Sequence, residues 1–263
     1  MTDDAPLRFC RFEVDGPVVV ITIDRPEVLN AVHREGHFEL SHAFDRYRDD
    51  PDLRVAIVTG AGERAFCVGT DLKALAASGD HTKPPTGFAG LTHRFDLFKP
   101  VIAAVNGLCL GGGVEIVAAC DLAIAADDAQ FALPEPLVGL AALGGGVLQR
   151  LPRQIAMKDA MWLVLTAQRV SAAEAVRLRL VNEAVPSTAL MTRAREVAGQ
   201  VLRCAPLALQ ASKQVMLQSL RHADLEAAMA GRYEAAERML ASADAVEGPA
   251  AFAQKRAPVW RGR

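Results

Sequence analysis

The chain predicts an α/β layered core followed by a helical C-terminal third. Three observations lead there. Short runs of apolar, β-branched residues alternate with stretches of helical periodicity. Glycine-bearing turns stand where those strands give way to helices. From about residue 155 the strand runs fade and helical patterns take over. A hydrophobic content of 51% over 263 residues is enough for a sizeable core.

The elements follow in order. FCRFEV and PVVVITI flank Asp15-Gly16, a good tight-turn pair, so residues 9–23 read as a hairpin. Arg25-Pro26 stops the second strand. Asn30 is placed to cap a helix with Leu40, Phe44 and Tyr47 on one face, ending at Asp50-Pro51. LRVAIVTG (53–60) reads as a buried strand, AFCVG as a shorter one, and DLKALAAS as a helix from Asp71. The polar, Pro/Gly-rich segment 78–87 is a loop, either mobile beside a site or a plain surface excursion. A helix from about Leu91 leads to Lys99-Pro100. Strand VIAAVNG, helix GGVEIVAAC and strand LAIAA follow. Beyond them, residues 158–178, 188–203, 206–221 and 223–242 read as helices, with Val181–Val185 the main extended piece.

Bulk properties exclude some functions. A net charge of −2 argues against a nucleic-acid or anionic-membrane protein. The start, MTDDAPLRF, lacks the basic and apolar regions of a signal peptide. Asn106, Glu115 and Asp121 interrupt the longest apolar stretch, so no transmembrane helix is expected. The five cysteines are odd in number, widely spaced and free of any CxxC. Free buried thiols and a cytoplasmic location are the expectation.

Two carboxylates stand out. Glu115 lies two residues beyond Gly111-Gly112-Gly113 in an apolar helix pattern, and Glu135 follows Phe131-Ala132-Leu133-Pro134. An isolated buried carboxylate costs several kcal/mol unless paired or neutralised, which points to acid–base chemistry. Two glycine turns, at Gly69-Thr70 and Gly111–Gly113, lie at strand-to-helix junctions. There the first helical N–H groups lack intrahelical partners and the helix dipole favours negative charge. Facing each other, they would make an oxyanion hole. Otherwise the glycines serve only tight turns or close packing. GxGxxG, GxxxxGK[ST] and GxSxG are all absent, including from the glycines of 139–146. His33 and His37, in HREGH, lack a third ligand and read as a solvated helix face, so no metal is expected.

RPEVLNA (25–31), AFCVGTDLKAL (65–75), KPVIAAVNGLCLGGGVEIVAACDLAIA (99–125), AQFALPE (129–135) and RVSAAEAVRLRLVNEAVP (169–186) resemble the crotonase, or enoyl-CoA hydratase/isomerase, superfamily. The closing AFAQKRAPVWRGR is similar too, so the resemblance covers nearly the whole chain. It implies a spiral of ββα units over 1–195 and a helical trimerisation region over 196–263, assembled as trimers or dimers of trimers. It implies an acyl-CoA substrate and no separate cofactor, coenzyme A being part of the substrate. The backbone N–H groups of Thr70 and Gly112 are then the oxyanion hole, and Glu115 and Glu135 the catalytic pair. Val68, Thr70–Lys73 and Gly111 line the substrate site, with Ala31 and Ala65 near it. Arg25, Lys73 and Lys255 would reach coenzyme A phosphates, Lys255 from a neighbouring subunit.

The resemblance implies hydration of a 2-enoyl-CoA, as in fatty-acid β-oxidation. Glu135 would protonate the α-carbon and Glu115 would activate water. Alternatives are Δ3–Δ2 enoyl-CoA isomerisation, a carnitinyl-CoA dehydratase-like reaction, suggested by GFAGL (87–91) and GGVLQRLP, and a non-catalytic CoA- or nucleic-acid-binding role. Three positions depart from the family pattern. Thr70 replaces alanine, the loop 137–152 is unusual and one residue longer, and Arg179 stands where glycine is usual.

Overall fold

The hairpin forms where the Asp15-Gly16 pair puts it: β1 (Cys10–Asp15) and β2 (Val18–Ile23) pair antiparallel in register, Cys10 opposite Ile23 and Asp15 opposite Val18. The computed structural model describes residues 7–263. The start of the chain, on which the leader expectation rests, therefore lies largely outside the described residues.

From β3 to β8 the chain repeats one pattern three times. A buried strand enters a six-stranded sheet, a short strand enters a four-stranded sheet, and a helix or helical turn closes the unit. The first sheet orders β1, β2, β3 (Val55–Gly60), β5 (Val101–Val105), β7 (Leu122–Ala126) and β10 (Glu183–Val185). All pairs beyond the hairpin are parallel. Parallel strands covered on both faces need apolar residues at every position, and VVVITI, VAIVTG and VIAAV are buried throughout. The second sheet orders β4 (Ala65–Cys67), β6 (Leu108–Leu110), β8 (Gln130–Ala132) and β9 (Val170–Ser171). This is the mixed α/β core that the sequence predicts.

The helices of this part are α1 (Arg34–Asp49), α2 (Leu72–Ser78), α3 (Gly112–Ala119), α4 (Val147–Gln154), α5 (Met157–Thr166) and α6 (Ala172–Arg177). Next come α7 (Leu190–Leu202), α8 (Pro206–Ser219), α9 (Leu225–Ala230), α10 (Glu234–Leu240) and α11 (Ala243–Ala253). The chain divides into two compact units. One is residues 1–94 with 101–198, and the other is 95–100 with 199–263. Within the second unit α8 packs on α10, and the Asp244 carboxylate accepts from the Arg261 and Gly262 N–H groups at 2.7 and 2.9 Å.

Four sequence expectations are corrected. Asn30 caps no helix: α1 begins at Arg34 with His33 at its N-cap. Asn30 instead sits fully buried at φ 58°, where its amide donates to the Ala61 and Ala65 carbonyls and its Oδ1 accepts from the Arg25 N–H. Residues 91–99 form no helix. Positive φ at Gly87, Ala89 and Gly90 breaks the path, and the Arg94 side chain folds back onto the Gly90 and Ser41 carbonyls. Residues 158–178 split into α5 and α6 at Ala167, whose φ is 50°. Residues 223–242 split into α9 and α10 around Gly231. The short strands β6, β8 and β9 carry too few residues for a period to register.

Arg179 has φ 64°, a region that costs a non-glycine side chain about 1 kcal/mol. Arg179→Gly is expected to raise the melting temperature by roughly 2–4 °C for a chain of this size, and a lowered value in a thermal scan refutes the strain. Asn30→Ala is expected to destabilise by about 2–4 kcal/mol, since it removes three hydrogen bonds at once, two of them fully buried. Urea denaturation measures it, and a loss below about 0.5 kcal/mol, the scale of an ordinary surface change, contradicts that role.

Candidate active site

Strands β4 and β6 are neighbours, and both end in glycine turns. The turns touch. A Cβ on Gly69, where φ is 93°, would stand 3.0 Å from the Gly112 backbone nitrogen, and a Cβ on Gly113 would collide with the Cys67 carbonyl. Only glycine permits this approach. Thr70 is held by a bridge to Val32, whose N–H donates to the Gly69 carbonyl at 2.8 Å and whose carbonyl accepts from the Asp71 N–H at 3.0 Å. Gly112 opens α3, so its N–H has no partner within the helix. Among the described residues neither the Thr70 nor the Gly112 N–H donates to a protein acceptor. Two free backbone donors thus stand at adjacent turns, one at a helix N-terminus where the dipole favours negative charge.

Glu115 lies in the first turn of α3 and is only 3% exposed. Its Oε1 accepts from the Gly145 N–H at 2.6 Å. Burial raises its pKa, and the Gly145 N–H and the Lys83 charge partly oppose that rise. Glu135 opens the 3₁₀ turn Glu135–Val138 just after β8. Its Oε2 is buried without a hydrogen-bond partner among the described residues. Burial raises its pKa too, and the Glu115 charge adds to the effect. A Cβ on Gly111, at φ 53°, would come within 2.7 Å of Glu135 Oε1, so the same glycine turn makes room for this carboxylate.

The four groups border one cavity of about 550 Å³. Val68, Asp71, Leu72 and Gly111 line it as well. Other expected residues sit elsewhere. Ala31 and Ala65 are buried and outside the lining. Their carbonyls accept from Arg25 Nη1 and Asn30 Nδ2, both at 2.7 Å. The Arg25 guanidinium also pairs with Asp71 at 2.9 Å, and Arg25 is not among the residues that line the cavity. Lys73 is exposed on α2 and does not line the cavity. Lys255 follows α11 in the second unit, exposed, at φ 54°.

Sequence reasoning missed four contributors. Gly145 holds Glu115, and Arg150 of α4 holds that turn by donating to the Gly145 carbonyl at 2.8 Å and the Thr92 carbonyl at 2.5 Å. The glycines 144–146 were visible, but no nucleotide motif contains them. Lys83 lines the cavity from the loop 78–87, whose polar composition marked only a loop. His37 lines it from α1. It is a buried residue, not part of a solvated face, and burial pushes its pKa down to about 3. Its Nδ1 accepts from the Ala89 N–H at 3.0 Å. Among the described residues no cluster of three or more His, Cys, Asp or Glu is placed to hold a metal ion. Nor is any helix there long and apolar enough to cross a membrane.

The chain is similar to known proteins over nearly its whole length. The enoyl-CoA hydratase/isomerase family matches residues 13–263. A carnitinyl-CoA dehydratase of Salmonella typhi is 47% identical over 255 residues, covering 95% of this chain and 97% of that protein. One from Proteus mirabilis is 46% identical, with 94% and 96% coverage. Among solved structures, a probable enoyl-CoA hydratase/isomerase from Mycobacterium abscessus superposes with a TM-score of 0.89 at 40% identity and full coverage of both chains. The enoyl-CoA hydratase of Mycobacterium tuberculosis H37Rv gives 0.90 at 38% identity, covering 97% of this chain and 99% of that one.

The raised pKa of Glu135 carries a stability consequence. A carboxyl whose pKa rises on folding contributes fully below its ordinary value of 4.5, and that contribution is lost as pH climbs through the folded-state value. Glu135→Gln removes the titration. Its stability relative to the unsubstituted protein is expected to increase from about pH 4 to about pH 8. Urea midpoints across that range test it, and a pH-independent difference rules it out.

Proposed function

The chain belongs to the enoyl-CoA hydratase/isomerase family and is a hydro-lyase; on that premise we propose that it adds water reversibly, in syn fashion, to the double bond of a 2-enoyl-CoA thioester. The supporting observation is a pair of carboxylates with raised pKa beside two unpartnered backbone N–H groups.

In the proposed reaction the thioester oxygen accepts hydrogen bonds from the Thr70 and Gly112 N–H groups. Water attacks the β-carbon, and the electron pair of the double bond moves onto that oxygen as an enolate. Donors fixed before the reaction stabilise this charge without reorganising, which is commonly the largest single contribution to such catalysis. Glu115, oriented by the Gly145 N–H, takes a proton from the water. Glu135, whose pKa burial raises, delivers its proton to the α-carbon as the enolate collapses. One proton is gained and one lost by the pair, so the two carboxyls must hold opposite protonation states at the start.

Val68, Asp71 and Leu72 would flank the pantetheine, with Lys73 and a neighbouring subunit's Lys255 taking phosphates. Arg25 acts from behind, holding Asp71 and the Ala31 carbonyl in place. Coenzyme A arrives on the substrate, and the reaction calls for no separate cofactor. A cytoplasmic homotrimer or dimer of trimers built through 196–263, working in fatty-acid β-oxidation, completes the proposal.

A second reading is a carnitinyl-CoA dehydratase-like reaction, favoured by 46–47% identity over nearly the whole of both chains. It runs on the same two carboxylates and differs only in the acyl tail. Isomerisation from Δ3 to Δ2 would need Glu135 alone and leaves the Gly145-held Glu115 without a task.

Loss of conjugated absorbance on mixing with crotonyl-CoA is the direct assay. Glu135→Gln and Glu115→Gln are each expected to lower kcat about 10²-fold or more, the usual loss for a general acid or base. Undiminished turnover in Glu135→Gln would sink the mechanism.

A further inference from the structure

The cavity holds a cation that the proposed chemistry does not use. Lys83 is half-buried in the loop between α2 and the turn at Phe88. Its ammonium stands 5.6 Å from the Phe88 ring centroid. Among the described residues it makes no hydrogen bond, and no carboxylate lies within 4.0 Å of it. It is nevertheless close to the reaction centre. A Cβ on Gly144 would stand 2.9 Å from Lys83 Nζ and 3.4 Å from Glu115 Oε2.

A second donor adjoins it. His37 also lines the cavity, packed edge-on against Phe88 with ring centroids 4.7 Å apart. Its Nδ1 accepts from the Ala89 N–H, so the neutral ring carries its proton on Nε2. That N–H has no acceptor among the described hydrogen bonds. The Lys83 charge is close enough to depress the His37 pKa further, after burial. Five carboxylates line the same cavity: Asp71 is paired with Arg25, Glu35 and Asp80 with Arg34, and Glu115 and Glu135 are the opposing groups, each with a pKa that burial raises.

In the proposed reaction Glu115 stands at the β-carbon, and Lys83 Nζ borders the same space beside Gly144 as Glu115 Oε2. We propose that Lys83 Nζ and the His37 Nε2–H form an anion subsite at the acyl end of the cavity, and that the preferred substrate ends in a carboxylate. This rests on the hydro-lyase reading and names its substrate class. A quaternary ammonium tail fits poorly. Such groups are held by aromatic faces, and the cavity lining contains no Phe, Tyr or Trp, while Lys83 repels them. A plain alkyl tail leaves both donors unpaired.

Unreactive saturated thioesters separate this idea from the reaction itself. Calorimetric titration would compare glutaryl-CoA, butyryl-CoA and 4-(trimethylammonio)butyryl-CoA. Glutaryl-CoA is expected to bind roughly tenfold tighter than butyryl-CoA, the scale of one charge-assisted hydrogen bond, and the cationic ligand weakest. Lys83→Met should erase the first gap, Lys83→Arg should restore it, and Lys83→Glu should reverse the order of the two charged ligands. Equal affinities in the unsubstituted protein would overturn the subsite, as would tightest binding of the cationic tail. So would a Lys83→Met effect equal for all three ligands, which would make Lys83 merely a counter-charge to Glu115. If the binding order holds while no enoyl-CoA is hydrated, the subsite stands and the reaction assignment fails.

Discussion

The site depends on one close approach, the contact between the turn after β4 and the turn after β6. Gly69 stands against the Gly112 nitrogen, and Gly113 against the Cys67 carbonyl, with no room for a side chain at either place. Parallel pairing of β4 with β6 brings the two strand ends level. The turns then release the Thr70 and Gly112 N–H groups toward the same cavity, and α3 starts so that Glu115 falls in its first turn. Gly111 in the same run clears space for Glu135. Donors and carboxylates thus share a single backbone feature.

The carboxylates carry the electrostatic cost of that arrangement. Glu115 is almost wholly buried and receives one short hydrogen bond, and Glu135 keeps an oxygen with none. Each unpaired buried group costs of order 1–3 kcal/mol. A fold selected for stability alone would not keep them, whereas proton transfer needs carboxyls whose pKa has been lifted toward neutrality. The surroundings offset the cost unequally: the Arg150-braced turn serves Glu115, while burial and the Glu115 charge both push the Glu135 pKa up. That inequality underlies the division of roles proposed for the pair.

One wall of the cavity is braced and another is open. Arg25 and Asn30 tie residues 31, 61, 65 and 71 together through buried and part-buried hydrogen bonds. Other parts of the lining come from the loop carrying Lys83 and from the exposed apolar residues Val138 and Leu140. These are the places where a change alters the acyl environment without disturbing the two glycine turns. Relatives with the same framework can therefore act on different acyl tails.

Much of the spiral was legible in the sequence because its signals are local. Fully apolar runs announced β2, β3, β5 and β7, Asp15-Gly16 announced the hairpin, and Asp71 announced α2, where its side chain accepts from the Ala74 N–H. Asn30 was misread because an N-cap and a left-handed buried turn use the same side-chain chemistry, and only the carbonyls at 61 and 65 distinguish them. The sequence by itself determined the glycines, the carboxylates and the order in which strands deliver them. The tertiary structure alone decided that Gly145 holds Glu115, that Arg25 is spent on Asp71, and that Lys83 and His37 share the cavity. Periodicity and turn chemistry act over a few residues, whereas those meetings span tens of residues and exist only once the two sheets have packed.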